Sequence, residues 1–225
     1  MNILITGTSS GMGRECAMLF IQKGHRVTGL DIQDDTISSC IEDKSLYTHY
    51  ICDIRLKDTL PEIEDVEILI NNAGVQTMSL KDIDVNLIGT MNVTSKYAFN
   101  PRIKSVLFNS SASALTGNEF AEYAASKAGV NGYMKHCAIK LANQYKATCN
   151  ALCFGGVITE LNTNVMNDKK LWASIMAVTP LKRWATTEEV AQWMYFMTVT
   201  NKFCTGQAIE ISGGERNCAD LFVWP

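Results

Sequence analysis

Tyr123 and Lys127 are the residues whose types and spacing could carry out proton chemistry. They lie four residues apart in a stretch without proline, so they should share one face of a helix. A phenol has a pKa of about 10 in water, and a neighbouring ammonium stabilises the phenolate and lowers that value. The pair therefore predicts a proton donor and acceptor that works near neutral pH. The spacing alone is common on amphipathic helices, so its weight depends on the rest of the chain.

Strand-like and helix-like segments alternate along the chain, which is the pattern of a parallel sheet covered by helices on both faces. The predicted strands span residues 3–5, 26–30, 47–52, 67–70, 105–109, 147–153 and 207–211. The predicted helices span about 11–23, 84–99, 123–145 and 187–198. No internal repeat or linker separates these segments. We therefore predict one α/β domain over residues 1–225, a Rossmann-type doubly wound parallel sheet of about seven strands.

A glycine-rich loop, residues 6–13 with the sequence Thr-Gly-Thr-Ser-Ser-Gly-Met-Gly, connects the first strand to the first helix. Glycines let a backbone approach a pyrophosphate closely, and a helix N-terminus offers it free N–H groups and partial positive charge. The loop therefore predicts a dinucleotide site. Its glycine spacing differs from the common G-x-G-x-x-G fingerprint, and an ordinary Gly/Ser turn is the alternative.

Asp31 ends the second predicted strand, 18 residues after Gly13. A carboxylate at this place can accept hydrogen bonds from both ribose hydroxyls of an adenosine. Because it would repel a 2′-phosphate, it favours NAD(H) over NADP(H). Two alternatives stay open: Arg14, just inside the first helix, could reach a phosphate, and Asp31 could be a solvated loop acid.

Composition excludes several classes of function. Of the 225 residues 47% are hydrophobic, enough for a sizeable core, and the net charge of −3 gives no footprint of a nucleic-acid partner. No apolar run approaches the roughly 20 residues of a membrane span, and the first seven residues are too short for a signal peptide. The eight cysteines include no Cys-x-x-Cys pair and no zinc-type ligand spacing. They predict reduced thiols in a cytoplasmic protein, without a metal site.

Further segments occur in a consistent order: Asn71-Asn72-Ala73-Gly74, then residues 85–90, Asn109-Ser110-Ser111, and residues 205–207 leading to 213–214. Together with the glycine loop, Asp31 and the Tyr123-x-x-x-Lys127 pair, they resemble the short-chain dehydrogenase/reductase family over nearly the whole chain. The resemblance implies an oxidoreductase that interconverts a secondary alcohol and a ketone. It also implies a small-molecule carbonyl or alcohol substrate and a homodimer or homotetramer. A catalytically silent dinucleotide sensor or interaction protein of the same fold is the alternative.

The resemblance implies a role for each matching catalytic residue. Tyr123 matches the general acid and base, and Lys127 matches the residue that binds the nicotinamide ribose and lowers the tyrosine pKa. Asn86 matches an asparagine that holds a water linking Lys127 to solvent, with a structural amide as the alternative. Ser111 matches the serine that hydrogen-bonds the reacting oxygen. Ser110 competes for this role, because its spacing of 13 residues from Tyr123 is common in the family.

The implied cofactor-binding residues follow the carboxyl ends of several predicted strands. Asp53 matches an adenine contact, Asn72 to Gly74 flank the cofactor, and Val157 and Thr159 hold the carboxamide. The full set is Gly7, Ser9, Ser10, Gly11, Met12, Gly13, Asp31, Ile32, Asp53, Ile54, Asn72, Ala73, Gly74, Tyr123, Lys127, Gly155, Val157 and Thr159.

The chain departs from the family in three places. Residues 34–46 are too short and polar for the usual helix, and only about eleven residues separate Gly74 from Asn86. Phe154 replaces the usual proline, and it could either loosen the turn or cover the nicotinamide. Residues 160–186 match a substrate lid. Its apolar side chains leave two alternatives open: they bind an apolar substrate, or they pack the lid onto the body of the domain. The apolar tail, residues 221–225, is expected to pack on the domain or on a neighbouring subunit.

Overall fold

Seven parallel strands form one sheet in the structure, a computed structural model that describes residues 1–118 and 120–215. The strands are β1 (Asn2–Thr6), β2 (Arg26–Asp31), β3 (Tyr47–Ile51), β4 (Ile68–Asn71), β5 (Ser105–Ser111), β6 (Thr148–Phe154) and β7 (Ala208–Ile211). Their order is β3-β2-β1-β4-β5-β6-β7. The predicted doubly wound sheet is confirmed, and each predicted strand lies within two residues of the observed bounds. The predicted packing of residues 221–225 lies outside the described residues.

Helices cover both faces of this sheet. They are α1 (Gly11–Gln22), α2 (Thr90–Tyr97), α3 (Ser113–Thr116), α4 (Ala121–Lys140), α5 (Thr163–Asn167), α6 (Lys169–Val178) and α7 (Thr187–Tyr195). Three of the predicted helices contain π-helical turns, at Ile83–Gly89, Leu141–Tyr145 and Phe196–Thr200. The long helices predicted from the sequence are therefore present, but their hydrogen bonding changes along their length. Turns of this kind are rare and often lie at functional sites.

The apolar residues of the strands point alternately to the two faces, and both faces are buried. Ile3 and Ile5 face the layer of α1 and α7, whereas Leu4 faces the layer of α2 and α4. This two-sided burial explains why the strands have continuous apolar runs rather than strict alternation. It also fixes the carboxyl ends of the strands along one edge.

The strand order reverses between β1 and β4, which are neighbours in the sheet although two strands separate them in sequence. In open α/β sheets a ligand crevice forms at such a switch point, beyond the carboxyl ends of the strands. Residues 34–46 form only two short 3₁₀ turns, Ser38–Cys40 and Lys44–Leu46, as the short polar segment predicts. Within the described ranges no helix is long and apolar enough to cross a membrane.

Candidate active site

The glycine loop is pressed against the end of β4. Gly7 has a φ of +75°, and a Cβ on it would lie 2.9 Å from the Cα of Ala73. A side chain on Gly13 would overlap the carbonyl oxygen of Gly7. These positions need glycine so that α1 can start close to the sheet. Ser10 occupies the N-cap of α1 without a side-chain hydrogen bond to the helix, so the first N–H groups face the crevice.

A groove of about 300 Å³ follows the carboxyl edge of the sheet from the glycine loop to the loop after β6. Most of the predicted cofactor-binding residues line it. They are Gly7, Ser10, Gly11, Met12, Gly13, Asp31, Ile32, Asp53, Ile54, Asn72, Ala73, Gly74 and Thr159. Their role as cofactor contacts stays a prediction.

Five other predicted cofactor residues do not line the groove: Ser9, Tyr123, Lys127, Gly155 and Val157. Ser9 is buried behind the glycine loop, and its hydroxyl donates to the carbonyl of Gln33 at 3.4 Å. Val157 is buried and forms a β-bridge with Ala185. Gly155 lies so close to the backbone of Ser212 that a Cβ would come within 2.9 Å. Ser9, Val157 and Gly155 therefore support the walls of the groove without lining it.

Asp31 is held at the end of β2 by two backbone N–H groups. Its Oδ2 accepts from Ser9 at 2.9 Å and its Oδ1 from Gln33 at 3.0 Å. The carboxylate is therefore fixed at the groove wall and keeps lone pairs for a ligand. Arg14 points elsewhere, because its guanidinium donates to the carbonyl of Thr36 and to Cys40 Sγ, both at 3.4 Å.

Two cations that the sequence analysis did not select also line the groove, Arg55 and Lys81. The Arg55 guanidinium lies 2.6 Å from the Asp53 carboxylate and hydrogen-bonds it, which lowers the pKa of the Asp53 carboxyl. Its position two residues after Asp53 is the only sequence signal that could have indicated it. Asp53, the residue expected to contact the adenine, is therefore part of an ion pair with Arg55.

Side-chain hydrogen bonds connect the ends of the three central strands. Asn72 Nδ2 donates to the carbonyl of Thr6 at 3.0 Å, and Asn109 Nδ2 donates to Asn72 Oδ1 at 2.9 Å. The backbone N–H of Ala73 donates to Thr6 Oγ1 at 2.9 Å. These bonds join the carboxyl ends of β1, β4 and β5, and so they stabilise the floor of the groove.

Tyr123 and Lys127 lie on α4, next to this floor. Lys127 Nζ is 5.8 Å from the centre of the Tyr123 ring and donates to the carbonyl oxygen of Asn109 at 2.8 Å. The side chain is buried, with 4% exposed. Burial lowers the pKa of Lys127 from 10.5 to about 8, while the nearby acids Cys153 and Asp82 oppose this shift. The pKa of Lys127 therefore lies only about one unit above neutral pH.

Asn86 lies in the π-helical turn Ile83–Gly89 and faces α4. Its Nδ2 donates to Ser126 Oγ at 3.0 Å and to the carbonyl of Val75 at 2.9 Å. Its Oδ1 accepts from the Val75 N–H at 2.8 Å. A Cβ on Gly74 would lie 3.1 Å from Asn86 Oδ1 and 3.4 Å from Lys127 Nζ. The amide and the ammonium thus converge on the backbone of Gly74.

The two candidate serines have different surroundings. Ser110 Oγ donates to the main-chain carbonyl of Lys127 at 3.3 Å, which ties β5 to α4. Ser111 Oγ lies 3.0 Å from Ser113 Oγ and accepts from the Ser113 N–H at 3.1 Å. The Ser110 hydroxyl therefore has a structural hydrogen bond of its own, and the choice between the two serines stays a prediction. Ser113 is a further hydroxyl near the strand end, which the sequence analysis did not select.

The wall after β6 is built on aromatic packing. Phe154 is buried in the core layer of α1 and α7 and does not line the groove, so it is not a cover over the cofactor site. The Trp184 indole lies directly on Gly156, where a Cβ would overlap it. Trp172, on α6, meets Trp184 edge-on with ring centres 4.8 Å apart.

The helices of the predicted lid carry no buried residue. Leu161 and Val178 are 69% and 71% exposed, and Leu171 is also exposed. Trp184 is buried, and Trp172 and Ile175 are half-buried, so packing onto the body accounts for part of the apolar residues of this segment. Leu161, Leu171 and Val178 remain exposed, and Leu161 lies at the edge of the groove.

Comparison with known proteins is consistent with this geometry. A family model described as enoyl-(acyl carrier protein) reductase matches residues 7–215. The 3-oxoacyl-[acyl-carrier-protein] reductase FabG of Thermotoga maritima is 31% identical along an alignment of 238 positions, which covers 94% of this chain and 96% of that one.

Solved structures share the fold. A 4-hydroxyisoleucine dehydrogenase mutant complexed with NADH and succinate gives a TM-score of 0.85 at 24% identity, covering 96% of this chain and 98% of that one. ElxO with NADP bound gives a TM-score of 0.85 at 23% identity, covering 95% and 98%. The family model, the relative and the shared architecture agree with the motifs of the sequence. The chain belongs to the short-chain dehydrogenase/reductase family of oxidoreductases.

Proposed function

We propose that this protein interconverts a secondary alcohol and a ketone with a nicotinamide dinucleotide, using Tyr123 as general acid and base. The observation that carries the proposal is the buried ammonium of Lys127 beside the Tyr123 ring, 3.4 Å from the position of a Cβ on Gly74, which lines the groove. Burying a cation costs free energy, so a buried ammonium next to a phenol favours a functional role for the pair.

The groove has the donor set that a dinucleotide requires. Gly7 and Gly13 leave no room for a Cβ, and the N-terminus of α1 offers free N–H groups to a pyrophosphate. Asp31 would hold the adenosine ribose, and the exposed Ile32 would cover one face of the adenine. When bound, the nicotinamide exchanges a hydride with the substrate carbon.

The protein's own residues would handle the proton and the charge. In reduction, the Tyr123 hydroxyl gives its proton to the carbonyl oxygen, and the Ser111 hydroxyl donates a hydrogen bond to the same oxygen. Charge develops on that oxygen, so both donors bind the transition state more strongly than the ground state. Lys127 stabilises the phenolate that remains. Asn86 would hold the water that connects Lys127 to solvent.

The serine assignment gives a paired prediction. Ser111→Ala should lower kcat by about 10²-fold or more, because it removes a donor to the developing charge. Ser110→Ala should leave kcat within a few-fold and lower the melting temperature slightly, since its hydroxyl bonds the backbone of α4. Steady-state kinetics and thermal unfolding of both variants provide the measurement. A larger loss of kcat for Ser110→Ala than for Ser111→Ala would reverse the assignment.

We further propose that NAD(H) is preferred over NADP(H). The similar solved structures hold NADH in one case and NADP in the other, so the preference rests on Asp31. Its fixed carboxylate would repel a 2′-phosphate, and the nearby guanidinium of Arg14 is engaged outside the groove.

The expected ratio of kcat/KM for NADH over NADPH is about 10 or more, and Asp31→Asn should lower this ratio about tenfold. Asp34→Asn, an exposed acid three residues further on, is the matched control and should leave the ratio unchanged. A wild-type preference for NADPH would refute the argument.

For the substrate we propose an apolar ketone, with 3-oxoacyl thioesters as the first class to test. The exposed apolar lid supports an apolar substrate, and the 31% identical relative is named a 3-oxoacyl-[acyl-carrier-protein] reductase. NADH oxidation should be measured against 3-oxoacyl thioesters, steroid ketones, sugars and quinones. Turnover of sugars alone would contradict the proposal, and NADH binding without turnover of any member would favour the silent sensor.

A homodimer or homotetramer is proposed from the family. Trp193 and Phe196, beside the edge strand β7, are 40% and 48% exposed, which supports an interface there. Light scattering that gives a monomer mass at micromolar concentration would contradict it. Cys16, Cys40, Cys52, Cys137, Cys149, Cys153 and Cys204 are free thiols, which supports a cytoplasmic location that cell fractionation can test.

A further inference from the structure

Asp82 is a carboxylate buried without any exposed surface, one helical turn before Asn86 on the same face. Its Oδ1 accepts two hydrogen bonds from Thr77, from the N–H and from Oγ1, both at 2.8 Å. Its Oδ2 is buried and has no hydrogen-bond partner among the described residues. A buried carboxylate oxygen without a donor is costly, so the charge requires a compensating partner.

Lys127 is the candidate partner, because Asn86, on the same helical face as Asp82, and Lys127 meet at the backbone of Gly74. A Cβ on Gly74 would lie 3.1 Å from Asn86 Oδ1 and 3.4 Å from Lys127 Nζ. Asp82 acts on the ammonium electrostatically and raises its pKa, against the larger opposite effect of burial. The elements packed around Lys127 present few other titratable groups: Cys153 from β6 and Tyr123 from α4 itself. From β5 the ammonium meets the uncharged carbonyl of Asn109. Of the two acids that act on Lys127, Cys153 and Asp82, only Asp82 is a carboxylate.

We propose that Asp82 is a positioning residue that keeps Lys127 protonated beside Tyr123, through its charge rather than through contact with substrate or cofactor. The inference rests on the proposed function of Tyr123 and Lys127, and it adds a residue to their site. Two roles of Asp82 can be separated. Its Oδ1 fastens the loop at Thr77, just as Asn86 fastens the same loop at Val75. Its Oδ2 makes no such bond, so its contribution is electrostatic.

Asp82→Asn separates these roles, because an amide oxygen can still accept from Thr77 while the negative charge is lost. Without that charge the protonated form of Lys127 becomes less favourable, so its pKa falls further. The same loss favours the ionised phenol of Tyr123. Carbonyl reduction needs both Lys127 and Tyr123 protonated. The alkaline limb of its pH profile should therefore move to lower pH, whether that limb reports the ionisation of Lys127 or of Tyr123.

The test measures Lys127 directly as well as turnover. NMR titration of the protein with ¹³C-labelled lysine, with the Lys127 signal assigned by its absence in Lys127→Met, should show a pKa lower by about half a unit or more in Asp82→Asn. The alkaline limb of kcat/KM should move in the same direction. Thr77→Val is the matched control, because it removes one loop hydrogen bond and keeps the charge. Asp82→Glu should restore the wild-type titration.

An unchanged Lys127 titration in Asp82→Asn, or an equal shift in Thr77→Val, would overturn the inference. If Asp82→Asn fails to fold, Asp82→Ser serves as the second variant, since its smaller side chain leaves room for a water at the former carboxylate. A shifted titration in a protein that turns over no substrate would support the Asp82–Lys127 coupling while removing the proposed function. Failure of the Asp82–Lys127 coupling and failure of the proposed function would therefore give different results.

Discussion

Tyr123→Phe should lower kcat by about 10²–10⁴-fold and leave the affinity for NADH within a few-fold of wild type. The phenol hydroxyl is the group proposed to exchange a proton with the substrate oxygen, and phenylalanine keeps the ring that lies beside Lys127. The ring, the groove and the N-terminus of α1 stay in place, so the cofactor should still bind. Stopped-flow turnover and NADH fluorescence titration measure the two quantities separately.

The matched control is Tyr133→Phe, which removes a phenol hydroxyl from the same helix ten residues further on. Tyr133 packs edge-on against Phe108 in the core layer of α4. Its replacement should leave kcat unchanged. If Tyr123→Phe retained wild-type turnover, Tyr123 would not be the acid and base, and Ser111 or Ser113 would become the candidates for the proton transfer.

Lys127→Met should abolish turnover and yet make the cofactor-free protein more stable at pH 7. Burial lowers the pKa of Lys127 to about 8, below the 10.5 that the side chain has when exposed. The difference between these values corresponds to a folding penalty of about 3 kcal/mol at neutral pH. Methionine has no charge to bury, but it leaves the Asn109 carbonyl without its donor, at a cost of about 1 kcal/mol. The expected net gain is about 2 kcal/mol.

The pH dependence of this gain follows from the lowered pKa. The folded state releases the proton near pH 8, whereas the unfolded state holds it up to about pH 10.5. Between these values the unfolded state binds more protons, so the stability of the wild type rises with pH. The penalty is fully present below pH 8 and disappears towards pH 10.5. The advantage of Lys127→Met should therefore be largest at neutral pH and should vanish in alkali.

Urea unfolding of the wild type and the variant from pH 6.5 to 10 measures this difference. Other groups whose protonation changes in this range are common to both proteins and cancel in the comparison. Lys135→Met, at an exposed position of α4, is the control and should leave stability nearly unchanged. A Lys127→Met protein that is less stable than wild type at pH 7 would show that the buried ammonium carries no such penalty.

Much of the fold follows from local sequence. Asp31 and the glycine loop could be located because each is defined by the strand that precedes it, and the four-residue spacing places Tyr123 and Lys127 on one helical face. The π-helical turns could not be predicted. Over one or two turns, apolar periodicity does not distinguish i→i+4 from i→i+5 hydrogen bonds.

The parts of the site that escaped prediction depend on contacts between distant segments. In the sequence, Asp82 is typical of a solvated acidic residue at the start of a helix. It becomes buried only when the loop at Thr77 folds onto it. Arg55 pairs locally with Asp53, two residues before it, but its place in the groove wall depends on the distant segments that meet there. The openness of the lid is likewise a tertiary property, since the apolar pattern of α6 is the same whether its partner surface is the body or a ligand.

The contact between Trp184 and Gly156 links two stretches of the chain in their evolution. No side chain fits at position 156 while the indole is present, and the indole in turn supports Trp172 of the lid. Substitutions at 156 and 184 must therefore occur together or in a fixed order, with the tryptophan replaced first. Selection for a new lid sequence is thereby constrained by a glycine in the loop after β6, and the two positions should co-vary among descendants of this chain.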